Sequence, residues 1–309
     1  MLPPFHNALV LTGPTGAGKS RLGVELAERM GAEIVSMDSM ALYRNMDIGT
    51  AKASPEERAR VRHHLIDVLE PWESASVAWW LERAAECCRD IERRGKSVLF
   101  VGGTPLYLKA LLLGLFEGPP ADSQLRRRLA EEARRDGVQV LHARLAKVDP
   151  ASAARLHVND VRRVIRALEV WELTGRPISA WQTQWREAGP RVETGGSPRV
   201  LWLDLPRPEL YARIDVRVDQ MLANGLVEEV KALSRLLKPL SREASQALGY
   251  KELLAYLNGH HSLEAAAERI RTRSRNYAKR QVTWFRHLPE CVPATRELTF
   301  ALWTSTINT

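Results

Sequence analysis

The sequence predicts an α/β chain in which a mostly parallel sheet, covered by helices, is interrupted by an all-helical segment and followed by further helices. Three observations predict it. Apolar runs at 8–12, 33–37, 65–69 and 97–101 alternate with stretches of helical spacing such as 19–30 and 76–94, and strands alternating with helices pair in parallel. From Pro119-Pro120 to about residue 188 the pattern is helical only, and at Val200-Leu201-Trp202-Leu203-Asp204-Leu205 it returns to a strand. The stretch "GPTGAGKS", residues 13–20, stands between the first strand and the first helix, which makes the core P-loop NTPase-like.

Residues 1–118 are therefore expected to form the first part of the core, 119–198 an inserted helical domain, and 199–309 the return to the core with basic C-terminal helices. Within the insertion, Asp149 before Pro150 is expected to cap one helix, and Asn159 to start another that Gly175 ends, with Pro177 beyond. Residues 187–198, rich in Gly and Pro, read as a loop.

With 309 residues and 45% hydrophobic composition, one core plus an insertion fits. No run approaches the roughly 20 apolar residues of a membrane span, and the N-terminus lacks the layout of a signal peptide. A soluble, cytoplasmic, monomeric protein is expected. Cys87, Cys88 and Cys291 form neither a disulfide framework nor a zinc pattern and read as packing residues, while the pairs His63-His64 and His260-His261 lack further ligands at suitable spacing. The net charge of +8 is unevenly placed: residues 1–115 carry 14 Lys/Arg and 14 Asp/Glu, 116–200 carry 15 and 11, and 201–309 carry 16 and 12. The phosphate-loop half is neutral, and the excess beyond it suits a polyanionic partner.

Gly13-x-x-x-x-Gly18-Lys19-Ser20 matches the P-loop, or nucleotide-binding, pattern in full. Its glycines let backbone N–H groups turn around an anion, Lys19 adds a point charge, and Ser20 can ligate magnesium. An enzyme that hydrolyses ATP or GTP on such a loop also needs an acid at the end of a neighbouring strand. Here the strand Val98–Val101 runs into Gly102-Gly103-Thr104-Pro105, without a carboxylate, and Asp67 lies in the middle of its run. The loop is therefore expected to hold a diphosphate that leaves, with no γ-phosphate to transfer. Asp38, at the end of the strand 33–37, lies where open α/β sheets place their ligands. It reads either as an acceptor for a nucleophile's proton or as a turn cap.

Eight ordered blocks carry a resemblance: "GPTGAGKS", "DSMALYRNMDIGTAK" (38–52), "HHLIDVLEP" (63–71), "VGGTPLYLKALLLGL" (101–115), "NDVRRVIRALEV" (159–170), "RIDVRVDQMLANGLVEEV" (213–230), "ALGYKEL" (247–253) and "TRSRNYAKRQVTWFR" (272–286). Together, over about residues 8 to 286, the chain resembles the bacterial tRNA dimethylallyltransferases. The resemblance implies transfer of a dimethylallyl group from dimethylallyl diphosphate to the exocyclic amine of the adenosine just 3′ of a tRNA anticodon, with Mg2+ as cofactor and the anticodon stem-loop as partner. By matched position, Gly13, Pro14, Thr15, Gly16, Ala17, Gly18, Lys19 and Ser20 hold the diphosphate together with Arg217, Thr15 donates to the bridging oxygen, and Asp38 takes the amine proton. Ser39, Met40, Ala41 and Thr104 face the RNA, and Arg162, Arg163 and Arg166 lie in an RNA-contacting segment.

Two readings of the residues stand beside the resemblance. Arg213 and Arg217, four apart on one helix, repel unless an anion sits between them. The segment 269–286 has seven Lys/Arg, no acid, and Tyr277, Trp284 and Phe285 interleaved, so Arg273, Arg275 and Arg280 are expected at tRNA phosphates, with Trp284 and Phe285 more naturally core residues. Thr104 also reads as a helix cap before Leu106. The family's DS block usually carries Gln where this chain has Ala41. From sequence alone the strongest alternative is a small-molecule or nucleoside kinase using ATP, and a non-enzymatic RNA-binding module comes third.

Overall fold

The computed structural model describes residues 5–116, 118–182 and 198–304. These residues divide into two compact units, one within Met1–Leu112 and Pro190–Thr309 and the other within Leu113–Gly189. The expected loop at 187–198 lies, apart from Pro198, outside the described residues.

The first unit is built on a six-stranded, all-parallel sheet. Its strands are β1 (Leu9–Thr12), β2 (Ala32–Ser36), β3 (His63–His64), β4 (Ser97–Val101), β5 (Val200–Leu203) and β6 (Val292–Ala294), in the order β3-β2-β4-β1-β5-β6. Helices α1 (Lys19–Met30), α2 (Pro55–Arg60), α3 (Val77–Arg93) and α4 (Pro105–Leu113) follow the early strands. The strands are apolar on both faces because helices cover both. One face packs Leu11, Leu22, Leu26, Ile34, Leu99, Leu201 and Trp303. On the other, Trp80 stacks on Tyr107 at 4.2 Å and meets Phe100 edge-on at 6.1 Å. Cys88 is buried on α3 and Cys87 partly so, as packing residues.

One strand expectation fails. The run 65–69 is not a strand: Leu65 and Asp67 take φ of 59° and 56°, a left-handed backbone that no ladder accommodates. The β3 ladder stops at His64, Leu69 makes an isolated parallel bridge with Tyr43, and Asp67 bridges Lys52 and Arg58, both at 2.6 Å. His64 Nε2 lies 2.7 Å from the Glu33 carboxylate.

After β5 come α10 (Arg207–Ala223), α11 (Leu226–Ser234), α12 (Arg242–Ser245), α13 (Tyr250–Leu257), the 24-residue α14 (Leu263–Arg286) and α15 (Arg296–Thr304). Among the described residues, no helix is long and apolar enough to cross a membrane.

The second unit holds α5 (Ser123–Asp136), α6 (Val138–Val148), α7 (Pro150–Arg155), α8 (Val161–Thr174) and α9 (Ile178–Trp181), packed around Leu129, Leu141, Leu145, Val164 and Leu168. Asp149 caps α7 through the Ser152 N–H, and Gly175 ends α8 in the left-handed conformation. Asp160, and not Asn159, caps α8, since its carboxylate reaches the Arg163 N–H. Glu169 is fully buried and accepts from Arg126, Arg166 and the Asp122 N–H. Burial pushes its carboxyl up, but hydrogen bonds from Arg126 and Arg166 outweigh this and hold it below its ordinary 4.5. The stabilisation is therefore full above pH 4.5 and lost as pH falls through the lower folded value. Glu169→Gln should cost about 2–3 kcal/mol at neutral pH, because two part-exposed guanidinium groups lose their charged partner. Urea denaturation should show that cost shrinking at acid pH.

Candidate active site

Three adjacent strands deliver the site. β2, β4 and β1 end side by side in Met37-Asp38-Ser39, Gly102-Gly103-Thr104 and the loop 13–20, at the carboxyl edge where such sheets bind ligands. Close approach of the first two turns requires glycine. A Cβ on Gly102 would lie 2.2 Å from the Met37 carbonyl oxygen, and one on Gly103 would lie 2.9 Å from that of Gly13 and 3.4 Å from Lys19 Nζ.

In the loop, Gly16 and Gly18 take φ of 83° and 87°, and Gly18 opens α1 with Lys19 and Ser20 in its first turn. Lys19 Nζ donates to the Pro14 carbonyl at 2.8 Å, closing the loop on itself. Ala17 is buried and Ser20 exposed at the helix start. Helix α10 packs on the loop: Ile214 Cγ1 would be 3.0 Å from a Cβ at Gly16. This contact brings Arg217 to the site from some 200 residues away in sequence.

Charge gathers here. Burial first, and then the Arg217 charge, push the Lys19 ammonium down from 10.5 to about 8, against the opposing pull of Asp38. Burial also lowers Arg217, again opposed by Asp38. Two desolvated cations beside one carboxylate give this edge of the sheet an excess of positive charge. Arg217 makes no ion pair among the described residues, whereas Arg213 is held by Glu209 at 2.6 Å. That corrects the paired-arginine argument: the repulsion at Arg213 is relieved by a neighbouring carboxylate, and only Arg217 remains for a ligand.

Asp38 caps its turn with one carboxylate oxygen and leaves the other open. Oδ1 caps the turn by accepting from the Met40 N–H at 2.8 Å, while Oδ2 has no hydrogen bond among the described residues. Thr104 stands at the start of α4, where its carbonyl accepts from the Tyr107 and Leu108 N–H groups, both at 3.1 Å. Its hydroxyl accepts from the Ser39 N–H at 3.1 Å and so ties two turns of the site together. Ala41 is 6% exposed, so its methyl group packs inward at the position where a Gln was expected to reach RNA. Burial raises the Tyr277 phenol, and Asp38 raises it further, which places this residue of α14 near the same carboxylate.

The expected RNA-facing arginines separate into two groups. Arg273 is bonded to the buried carboxylate of Glu252, and Arg275 to Asp215 at 2.9 Å and Glu268 at 3.0 Å. In the helical unit, Arg166 is turned onto Glu169 and the Pro119 carbonyl, and Arg163 pairs with Asp160 at 3.4 Å. Counting charges along the sequence treats such residues as free. Arg162 and Arg280 are exposed and make no ion pair among the described residues, and Arg280 lies 5.7 Å from the centre of the Tyr277 ring. Phe285 is core, packed 5.9 Å from Trp202.

Sequence reasoning missed Gln281. Its side chain is buried between the loop 13–20 and the turn 102–104, bonded to the Thr15 N–H and the Gly103 carbonyl. A signal was present, because Gln281 interrupts the apolar stripe Ile270, Ala278, Phe285 of an amphipathic helix. A polar group on that face requires partners.

Two family descriptions match the chain, "IPP transferase" over residues 41–288 and "Isopentenyl transferase" over residues 6–68. It is 48% identical over 284 residues to the tRNA dimethylallyltransferase of Geobacter metallireducens, covering 92% of this chain and 91% of that one. The solved tRNA isopentenylpyrophosphate transferase of Bacillus halodurans is similar over 97% of this chain and 94% of its own, with 39% identity and a TM-score of 0.68. A solved eukaryotic dimethylallyltransferase acting on tRNA is similar over 98% of this chain and 77% of its own, with 30% identity and a TM-score of 0.73.

Proposed function

The chain belongs to the IPP transferase family, that of the tRNA dimethylallyltransferases, and from that premise we propose that it transfers a dimethylallyl group from dimethylallyl diphosphate to the exocyclic amine of the adenosine 3′ of a tRNA anticodon. One observation carries the reading. The strand beside the phosphate loop ends in Gly102-Gly103-Thr104, without a carboxylate, while the Asp38 carboxylate stands within electrostatic reach of Lys19 and Arg217. A kinase reading needs an acid on β4 for its metal, and the phosphate loop here is instead suited to a leaving diphosphate.

The chemistry follows from the charges. Lys19, Arg217 and the loop's backbone N–H groups hold the diphosphate, and the Thr15 hydroxyl donates to its bridging oxygen. As the allylic C–O bond breaks, the electron pair leaves on the diphosphate, where these donors stabilise it most. The amine nitrogen bonds to the allylic carbon and its proton passes to Asp38 Oδ2. The base must leave its stack to reach this sheet edge. Ser20 fits a magnesium ion, since its hydroxyl is exposed at the start of α1 and Mg2+ is commonly held by one or two protein groups plus substrate phosphates. When bound, the ion neutralises charge on the leaving diphosphate.

Incubating the protein with labelled dimethylallyl diphosphate and unmodified tRNA tests the reading. Label on one adenosine beside the anticodon is expected. Phosphorylation of a nucleoside by ATP, with no label on tRNA, would overturn it.

On the RNA side, Arg280→Ala should flatten the salt dependence of tRNA binding by roughly 0.7–0.9 in log–log slope, the amount for one lost phosphate contact, and leave the melting temperature unchanged. Arg273→Ala should instead lower the melting temperature, because it removes the ion-pair partner of the buried Glu252 carboxylate, which keeps the Gly249 N–H. An unchanged slope for Arg280→Ala would remove that residue from the RNA surface.

A further inference from the structure

We propose that Gln281 is a positioning residue of the diphosphate site, tying the loop 13–20 to the turn 102–104 and joining both to the basic helix α14. The proposal rests on the reading of 13–20 as a diphosphate loop. Gln281 is 2% exposed. Its Oε1 accepts from the Thr15 N–H at 2.9 Å, and its Nε2 donates to the Gly103 carbonyl at 2.5 Å. The two partners fix the orientation of the amide, because an N–H needs the oxygen and a carbonyl needs the NH2 group.

From Gly103 the connection continues to the base. The Thr104 N–H donates to the Met37 carbonyl at 3.2 Å, and the Thr104 hydroxyl accepts from the Ser39 N–H at 3.1 Å. One carboxamide thus stands between Thr15, assigned to the bridging oxygen, and the turn that carries Asp38. Glycine at 103 makes room for it, since a Cβ there would lie 2.7 Å from Gln281 Nε2. Neighbouring positions of the same helix supply Tyr277, beside Asp38, and the exposed Arg280.

The position needs an acceptor and a donor at once. Methionine, of similar length, has no donor and only a weakly accepting sulfur, and would leave the Gly103 carbonyl without its partner and the Thr15 N–H poorly satisfied. An ionised glutamate keeps the acceptor but sets a negative oxygen against the Gly103 carbonyl. A protonated glutamate restores both bonds. Protonation therefore separates a positioning role from simple filling of space.

The test uses wild type, Gln281→Met and Gln281→Glu, with calorimetric binding of inorganic diphosphate, single-turnover transfer to tRNA, tRNA affinity and the melting temperature. Gln281→Met should weaken diphosphate binding and slow transfer by roughly 10-fold or more, the scale of one buried group left unsatisfied and one poorly satisfied, with tRNA affinity unchanged. The rate of Gln281→Glu relative to wild type should rise as pH falls from about 8 to about 5, because burial and the facing Gly103 carbonyl raise its carboxyl above the ordinary value of about 4.3 against the opposing pull of Lys19. A pH-independent ratio, or wild-type diphosphate binding in both variants, would overturn the proposal. If Gln281→Met does not fold, the pH ratio and diphosphate affinity of Gln281→Glu decide alone. Diphosphate binding requires neither tRNA nor an isoprenoid, so wild-type protein that binds diphosphate but does not prenylate tRNA would count against the assigned reaction and not against Gln281.

Discussion

Asp38→Asn slows the single-turnover rate by roughly 10²-fold or more, the usual scale for loss of a general base, while both substrates still bind. The substitution is clean because of how the turn is built. Asp38 Oδ1 accepts from the Met40 N–H, and the asparagine carbonyl oxygen can keep that bond, so the loop 38–43 holds its shape. Only the proton acceptor and one negative charge are lost. Removing that charge from beside Lys19 and Arg217 should leave diphosphate affinity unchanged or tighter. The expected result is thus a fall in kcat without a rise in the Michaelis constant for dimethylallyl diphosphate. A wild-type single-turnover rate would remove Asp38 from the chemistry. A large loss of diphosphate affinity would mean that its carboxylate organises the cations and does not accept the proton.

Lys19→Ala should reduce transfer by roughly 10²- to 10³-fold, the scale for removing a donor aimed at developing charge, and weaken binding of inorganic diphosphate while leaving tRNA affinity almost intact. Its ammonium lies at the loop, and the proposed RNA contacts are on helices beyond it. A pH dependence accompanies this. Burial and Arg217 hold Lys19 at about 8, so a rising fraction is neutral as pH climbs past that value, and the affinity for diphosphate should fall there. A bound anion favours the charged form, so the same titration in the complex should move upward. For folding the sign is opposite. A lysine depressed below its ordinary 10.5 destabilises the fold at neutral pH, and that penalty is relieved as pH rises through about 8 towards 10.5. Calorimetry between about pH 7 and pH 9.5 reads the affinity. A flat profile, or equal losses of diphosphate and tRNA binding in Lys19→Ala, would contradict the assignment.

Much of this was determined by the sequence alone. The P-loop spacing, the helix 19–30, the strands around 9–12, 33–36, 97–101 and 200–203, and the missing acid after β4 are local patterns. Each depends on residue order within a few positions, such as glycines that permit positive φ, apolar runs and a lysine at a helix start. What only the tertiary structure decided is which distant groups meet and which charges are already satisfied. Arg213 and Arg217 are one helical turn apart and look alike in sequence, yet Glu209 holds the first while the second is desolvated beside Lys19. Arg273 and Arg275 read as free cations until the fold brings Glu252 and Asp215 against them. The run 65–69 has strand composition, but the ion pairs of Asp67 with Lys52 and Arg58 and the left-handed Leu65 divert it. Gln281 acquires its role only where α14 crosses the loop 13–20. Ion pairing and burial depend on the positions of two partners in space, and one-dimensional order fixes those positions only through the packing of the whole core.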